Sequence, residues 1–339
     1  MLYKQRSDPS LTEELFRAPG AEYRGAPFWA WNTRLDPEEL ERQIDIFREM
    51  GIGGFHMHSR SGMATPYLSD EFMALTRRCM EKAKRENMLC WLYDEDRWPS
   101  GAAGGLVTRD YRYRARSLVF APADAAVPAG ILPSREAYFA ALDEQKKPAG
   151  YHTARYAVSL DAHGCLASYR RLADGEEGAD FIAYVRIATD APWYNGQAYL
   201  DTLSPAAVRR FLEVTHERYY ETLGDEFGRT VPAIFTDEPQ FTRRQFYKIS
   251  SERHAIQFPW TDDLEDTYRA AYGESLLDRL PELVWELPGG ALSRARWCFA
   301  DHLCERFTAA FADQLGAWCE AHGIALTGHM MEEPTLLSQ

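Results

Sequence analysis

The chain has 339 residues, enough for one large domain or for a barrel carrying an insertion. Hydrophobic residues make up 45% and charged residues 26%, the balance of a globular protein with a substantial core. A net charge of −13 repels phosphate backbones and anionic lipid, so neither nucleic-acid nor membrane binding is expected. Nine Trp and eighteen Tyr supply flat rings on which sugars can stack, although such rings also fill cores. The six cysteines form no Cys-x-x-Cys pair and read as reduced, buried thiols. The N-terminal residues contain no apolar signal-type run, and no apolar stretch reaches about 18 residues, so a cytoplasmic location is expected.

In chain order, Ala26-Pro-Phe-Trp-Ala-Trp-Asn32 predicts a buried strand ending in a polar residue. Asp36-Pro37-Glu38-Glu39 then supplies an N-cap, a proline at the first helical position and acids in the first turn. Leu40, Ile44, Phe47 and Met50 follow at helical spacing, and Gly51 suits the helix end. A second strand is predicted at Ile52-Gly-Gly-Phe-His-Met-His58. A second helix opens at Leu68-Ser69-Asp70-Glu71 and carries Phe72, Leu75, Cys79, Met80 and Ala83, and a third strand follows at Leu89-Cys-Trp-Leu-Tyr93. This βαβαβ rhythm implies a parallel sheet. It breaks at residues 106–198, where runs such as Arg116-Ser-Leu-Val-Phe120 and Phe181–Ile187 predict a β-rich insertion. A fourth strand is expected at 231–236, a largely helical excursion at 240–290, and a fifth strand at 324–329.

The expected architecture is a (β/α)8 barrel of TIM type, incomplete at about five strands. Residues 1–105 and 199–339 would form the barrel domain, and 106–198 the inserted subdomain. Eight strands close such a barrel. Five leave open edges, so the chain is expected to be a fragment, or to need the remainder of its own chain or another chain to finish the sheet.

Each predicted strand ends in polar residues, where barrel enzymes gather their chemistry. Ile234-Phe-Thr-Asp-Glu-Pro239 ends a buried strand in two adjacent acids. Glycoside hydrolysis uses two carboxyl groups, one protonating the leaving oxygen and one attacking or activating water. Glu238 suits the proton-donor role, with Asp237 beside it. A second Glu-Pro after strand five makes Glu333 the counterpart, with Glu332 as the alternative. Asp94, Glu95, Arg97 and Trp98 read as a sugar-binding rim or as an internally paired loop, and the acids there could also hold a hard cation. His56 and His58 share one face of strand two. They read as sugar contacts, as core histidines, or as the paired imidazoles of a metal-dependent barrel hydrolase. His329, Trp31 and Asn32 are further candidates for the pocket.

Six segments together resemble the catalytic domain of glycoside hydrolase family 106, the α-L-rhamnosidases. They are Phe28–Asn32, Gly51–Gly54, Tyr67–Ser69, Trp91–Gly105, Phe235–Pro239 and Gly328–Pro334. The resemblance implies a (β/α)8 barrel, inverting hydrolysis of a terminal deoxy-sugar, Ca²⁺ near the sugar, and a carbohydrate as the partner. It supports Glu238 and one of Glu332 and Glu333 as the catalytic carboxylates. His56 and His58 depart from the family pattern and put the identity of the sugar in doubt. A metal-dependent hydrolase and an inactive carbohydrate-binding remnant are the competing expectations.

Overall fold

The computed structural model describes residues 10–329. These divide into two compact units: 10–107 with 209–240 and 312–329, and 108–208 with 241–311.

The first unit contains the five expected strands: β1 (Phe28–Trp31), β2 (Gly54–Ser59), β3 (Leu89–Tyr93), β4 (Ala233–Asp237) and β5 (Ala325–His329). They pair in parallel in the order β1-β2-β3-β4-β5. Its helices include α1 (Pro37–Glu49), α2 (Asp70–Arg85), α3 (His216–Leu223) and α4 (Asp313–Ala321). Asp36 caps α1 by accepting the Glu39 N–H at 2.9 Å, and Ser69 caps α2 by accepting that of Phe72 at 3.2 Å. Leu40 and Ile44 of α1, with Phe72, Cys79, Met80 and Ala83 of α2, pack on one face of the sheet together with Trp29, Trp31, Phe55, Met57 and Leu92. Met50 ends α1 and is exposed, because it lies beyond the last turn that faces the sheet.

β2 and β3 approach closely at Gly54. A Cβ there would lie 2.4 Å from the Leu89 carbonyl oxygen and 2.5 Å from the Trp91 ring, so only glycine fits. β3 and β4 are near-continuous apolar runs because both lie inside the sheet. β1 and β5 are bonded on one side only among the described residues, and the sheet does not close. Accordingly Phe28 and Ala30 of β1, and Leu326 through His329 of β5, are exposed.

The second unit is built on a six-stranded sheet. Its path runs Ile256–Trp260, Arg116–Pro122, Phe181–Ile187, Gly150–Leu160 and Ile131–Leu132, with Leu166–Arg171 also paired to Gly150–Leu160. The β-rich reading of 106–198 fits this unit, but its extent differs. Segment 241–311, expected within the barrel domain, belongs here instead. Ile256–Trp260 pairs antiparallel with Arg116–Phe120, and Leu276, Leu280, Leu283 and Phe299 bury against Leu118, Phe120, Tyr156 and Val185. A buried ionic group adds a further tie: Arg116 meets Asp262 at 2.9 Å, with Asp201 beside it. All six cysteines are free, but only Cys79, Cys90, Cys298 and Cys319 are buried; Cys165 is half-buried and Cys304 exposed. Among the described residues, no helix is long and apolar enough to cross a membrane.

Candidate active site

Strand pleating sends alternate side chains to opposite faces, so parity along the five strands decides which residues meet. Phe28, His56 and Trp91 are register neighbours on the face opposite α1 and α2. Tyr93 and Phe235 pair likewise, as do Asp237 and His329. His56 stacks on Trp91 with ring centres 5.1 Å apart, and Phe28 meets it edge-on. His58 lies 3.8 Å from the Tyr93 ring and 4.6 Å from Phe28. The Tyr93 hydroxyl donates to Asp237 Oδ2 at 2.9 Å, and the other Asp237 oxygen faces His329 Nδ1 at 3.3 Å.

Trp31 has the opposite parity. Its ring packs edge-on against Trp29 and Phe72 in the helix-side core, so it is not the aromatic wall of the site. Phe28 takes that place; its alternation with Trp29 puts the two on opposite faces, but which face carries the site is settled only by the helices packed on the other. Asn32 lies exposed just past β1.

Burial lowers the pKa of His56, and burial aided by the nearby Arg60 lowers that of His58 to about 3. Both rings are therefore neutral at neutral pH, and each can donate from one nitrogen and accept at the other. His56 Nδ1 lies 3.1 Å from the Ala26 carbonyl, whereas among the described residues neither His58 nitrogen has a hydrogen-bond partner. Among the described residues, no group of three or more His, Cys, Asp and Glu is placed to hold a metal ion.

The loop after β3 is organised from within. Glu95 is buried, and its carboxylate accepts four backbone N–H bonds. Asp96 and Gly104 donate to Oε1, Gly101 and Ala103 to Oε2. Positive φ angles at Gly101, Ala103, Gly104 and Gly105 turn these N–H groups inward as a nest. Glu95 thus lies under the rim rather than on it. Burial pushes its carboxyl upward while the N–H groups of Asp96, Gly104 and Ala103 pull the other way, and with two donors on each oxygen the geometry is that of the ionised form. Asp96 pairs with Arg97 at 2.9 Å. Ser100, which the sequence reading passed over, ties this loop to β4. Its N–H donates to the Asp237 carbonyl, its oxygen accepts the Asp237 N–H, each at 2.8 Å, and its hydroxyl donates to Asp94. Ser100 thus meets one Asp94 oxygen and Arg97 one Asp96 oxygen, while the N–H groups fill both oxygens of Glu95, which therefore offers no open oxygen ligand to Ca²⁺.

Asp94 is fully buried, and burial raises its pKa to about 7 against the pull of the Ser100 and Thr236 hydroxyls. A folded-state value above the ordinary 3.8 means that the native state holds the proton more tightly. The associated stability is complete below about pH 4 and is lost as pH rises through about 7, an upper bound of roughly 4 kcal/mol. Asp94→Asn stays neutral throughout. Its thermal stability relative to wild type is therefore expected to climb between pH 4 and pH 7 and to level off above that, as followed by melting curves. A constant difference across that range would show that Asp94 does not titrate there.

Glu238 follows β4 in a left-handed turn (φ 43°) that a non-glycine residue adopts only where its surroundings enforce it. Its N–H donates to the His329 carbonyl at 3.0 Å, and its half-buried carboxylate accepts the Trp98 indole N–H at 2.6 Å. The turn carries Glu238 out of the strand's alternation and up to the rim where Trp98 stands. Glu332 and Glu333 lie outside the described residues.

No protein-family profile matches this chain, and no curated protein matches its sequence. A solved structure does: the rhamnosidase from Novosphingobium sp. PP1Y, at 13% identity and a TM-score of 0.59. What the two share is a fold. The match covers 96% of this chain and 47% of the rhamnosidase, so this chain spans about half its length.

Proposed function

We propose that this chain carries the catalytic face of a (β/α)-barrel glycoside hydrolase acting on a terminal deoxy-sugar of the α-L-rhamnoside kind. The observation that carries the reading is Glu238, turned out of β4 and held at the end of a face bearing neutral imidazoles and two exposed rings, Phe28 and Trp98. The fold likeness to a rhamnosidase supports the same reading.

Cleavage of a glycosidic bond needs a proton on the leaving oxygen and a nucleophile at the anomeric carbon. Glu238 supplies the proton. Glu333 or Glu332, a few residues past β5, supplies the base for an attacking water, and this gives inversion. Phe28 and Trp98 offer apolar surface to the sugar ring, and neutral His56 and His58 match hydroxyls that both donate and accept. Asp237 is held by Tyr93 and His329 beside the reacting centre.

The full chain should release nitrophenol from 4-nitrophenyl α-L-rhamnoside in preference to the corresponding glucoside, galactoside and mannoside. Proton NMR of the first sugar product should show the inverted anomer. Saturable L-rhamnose binding without hydrolysis would overturn the enzymatic reading in favour of a carbohydrate-binding remnant. Neither binding nor hydrolysis would overturn both.

A further inference from the structure

We infer that Trp98 is a positioning residue for Glu238, fixing which carboxyl oxygen presents the proton. This rests on the glycosidase reading above. The indole N–H can only donate, so it takes a lone pair of Glu238 Oε2, at 2.6 Å. When Glu238 is protonated, Oε2 stays the acceptor and the proton sits on Oε1. The bond therefore selects a rotamer and a proton position together. From Oε1 the proton passes to the glycosidic oxygen as the bond to the anomeric carbon breaks, and Glu238 is left as carboxylate.

The support for Trp98 is built into the fold. Glu95 gathers the N–H groups of residues 96, 101, 103 and 104 around itself, and Ser100 bonds both ways to Asp237, the neighbour of Glu238. The loop that carries Trp98 is thus tied to the strand end that carries Glu238. The Glu238 backbone is held independently, through its N–H to the His329 carbonyl. An indole that served only as a stacking surface would need none of this registration with a carboxylate.

Trp98→Phe keeps a ring and removes the donor. On methyl α-L-rhamnoside, whose leaving group needs a proton, kcat should fall about 10–100-fold with KM little changed, the worth of one hydrogen bond to a charged group. On 4-nitrophenyl α-L-rhamnoside the loss should be about ten-fold smaller, because that leaving group departs with little protonation. Equal losses on both substrates, or a change in KM alone, would overturn the positioning role and leave Trp98 as a contact surface. A second measurement does not depend on turnover. The Trp98 indole N–H resonance, identified by its loss in Trp98→Phe, should lie downfield and move upfield in Glu238→Ala. An unmoved resonance would overturn the hydrogen bond itself. Glu238→Gln keeping full activity on the methyl glycoside would instead remove Glu238 as the acid, and a wild-type chain that hydrolyses neither rhamnoside would sink the glycosidase reading itself, results distinguishable from either.

Discussion

Glu238→Gln is expected to lower turnover of α-L-rhamnosides with poor leaving groups by about 10²–10⁴-fold, the usual cost of losing a general acid. The amide matches the carboxylate in shape and can still accept the Trp98 N–H through its oxygen, so the left-handed turn and the His329 contact remain. The melting temperature should therefore stay close to wild type, which separates lost chemistry from lost fold. Activated aryl rhamnosides should suffer less, because their leaving groups need less protonation. Steady-state kinetics on both substrates, with a melting curve on the same preparation, check this. Near wild-type turnover on the methyl glycoside would remove Glu238 from the mechanism.

The second large effect is on stability. Glu95→Ala deletes the acceptor of four inward-pointing N–H groups, those of Asp96, Gly101, Ala103 and Gly104. An unmade hydrogen bond on a buried donor costs about 1–3 kcal/mol. Water entering the space left by the side chain recovers part of this, so a net loss of about 3 kcal/mol or more is expected. Glu95→Gln is the sharper comparison. It fills the same space but turns an NH₂ donor toward two N–H donors, so its shape complementarity should not rescue stability. Both oxygens of Glu95 already accept two bonds each, so protonating the carboxyl would also break one of them. Chemical denaturation at pH 7 measures these losses. Unchanged stability in both variants would show that the loop holds its shape without Glu95. Activity should fall in parallel, since Trp98 stands on the same loop.

Much of the architecture was legible in the chain. The Asp36-Pro37 and Ser69 caps, the 3.6-residue spacing of Leu40 and Ile44, and the short apolar runs before His58, Asp94 and Asp237 are local signals. Five strands in the expected places follow from them, and so does an unclosed sheet among the described residues. The acids at the strand ends were visible because a buried run that stops at a charged residue stands out in one dimension.

What the sequence could not resolve was anything that depends on two distant segments meeting. Trp29 and Trp31 are indistinguishable from Phe28 as aromatic candidates until pleat parity is anchored to a helix-covered face, and that anchor is tertiary. Segment 240–290 reads as a helical excursion because the five residues of Ile256–Trp260 make a strand only when Arg116–Phe120 offers its edge. Glu95 looks like Asp94 and Asp96 in sequence. Its burial under a nest of N–H groups depends on left-handed angles at residues 101–105, which no local propensity specifies for Ala103. The Trp98–Glu238 bond joins residues 140 apart in the chain. By itself the sequence determined which elements form and which strand ends carry acids, because capping and periodicity act within a few residues. Which side chains share a face and which carboxylate meets which donor was decided by the tertiary structure, because those contacts arise only when strands in register bring remote segments within about 3 Å of one another.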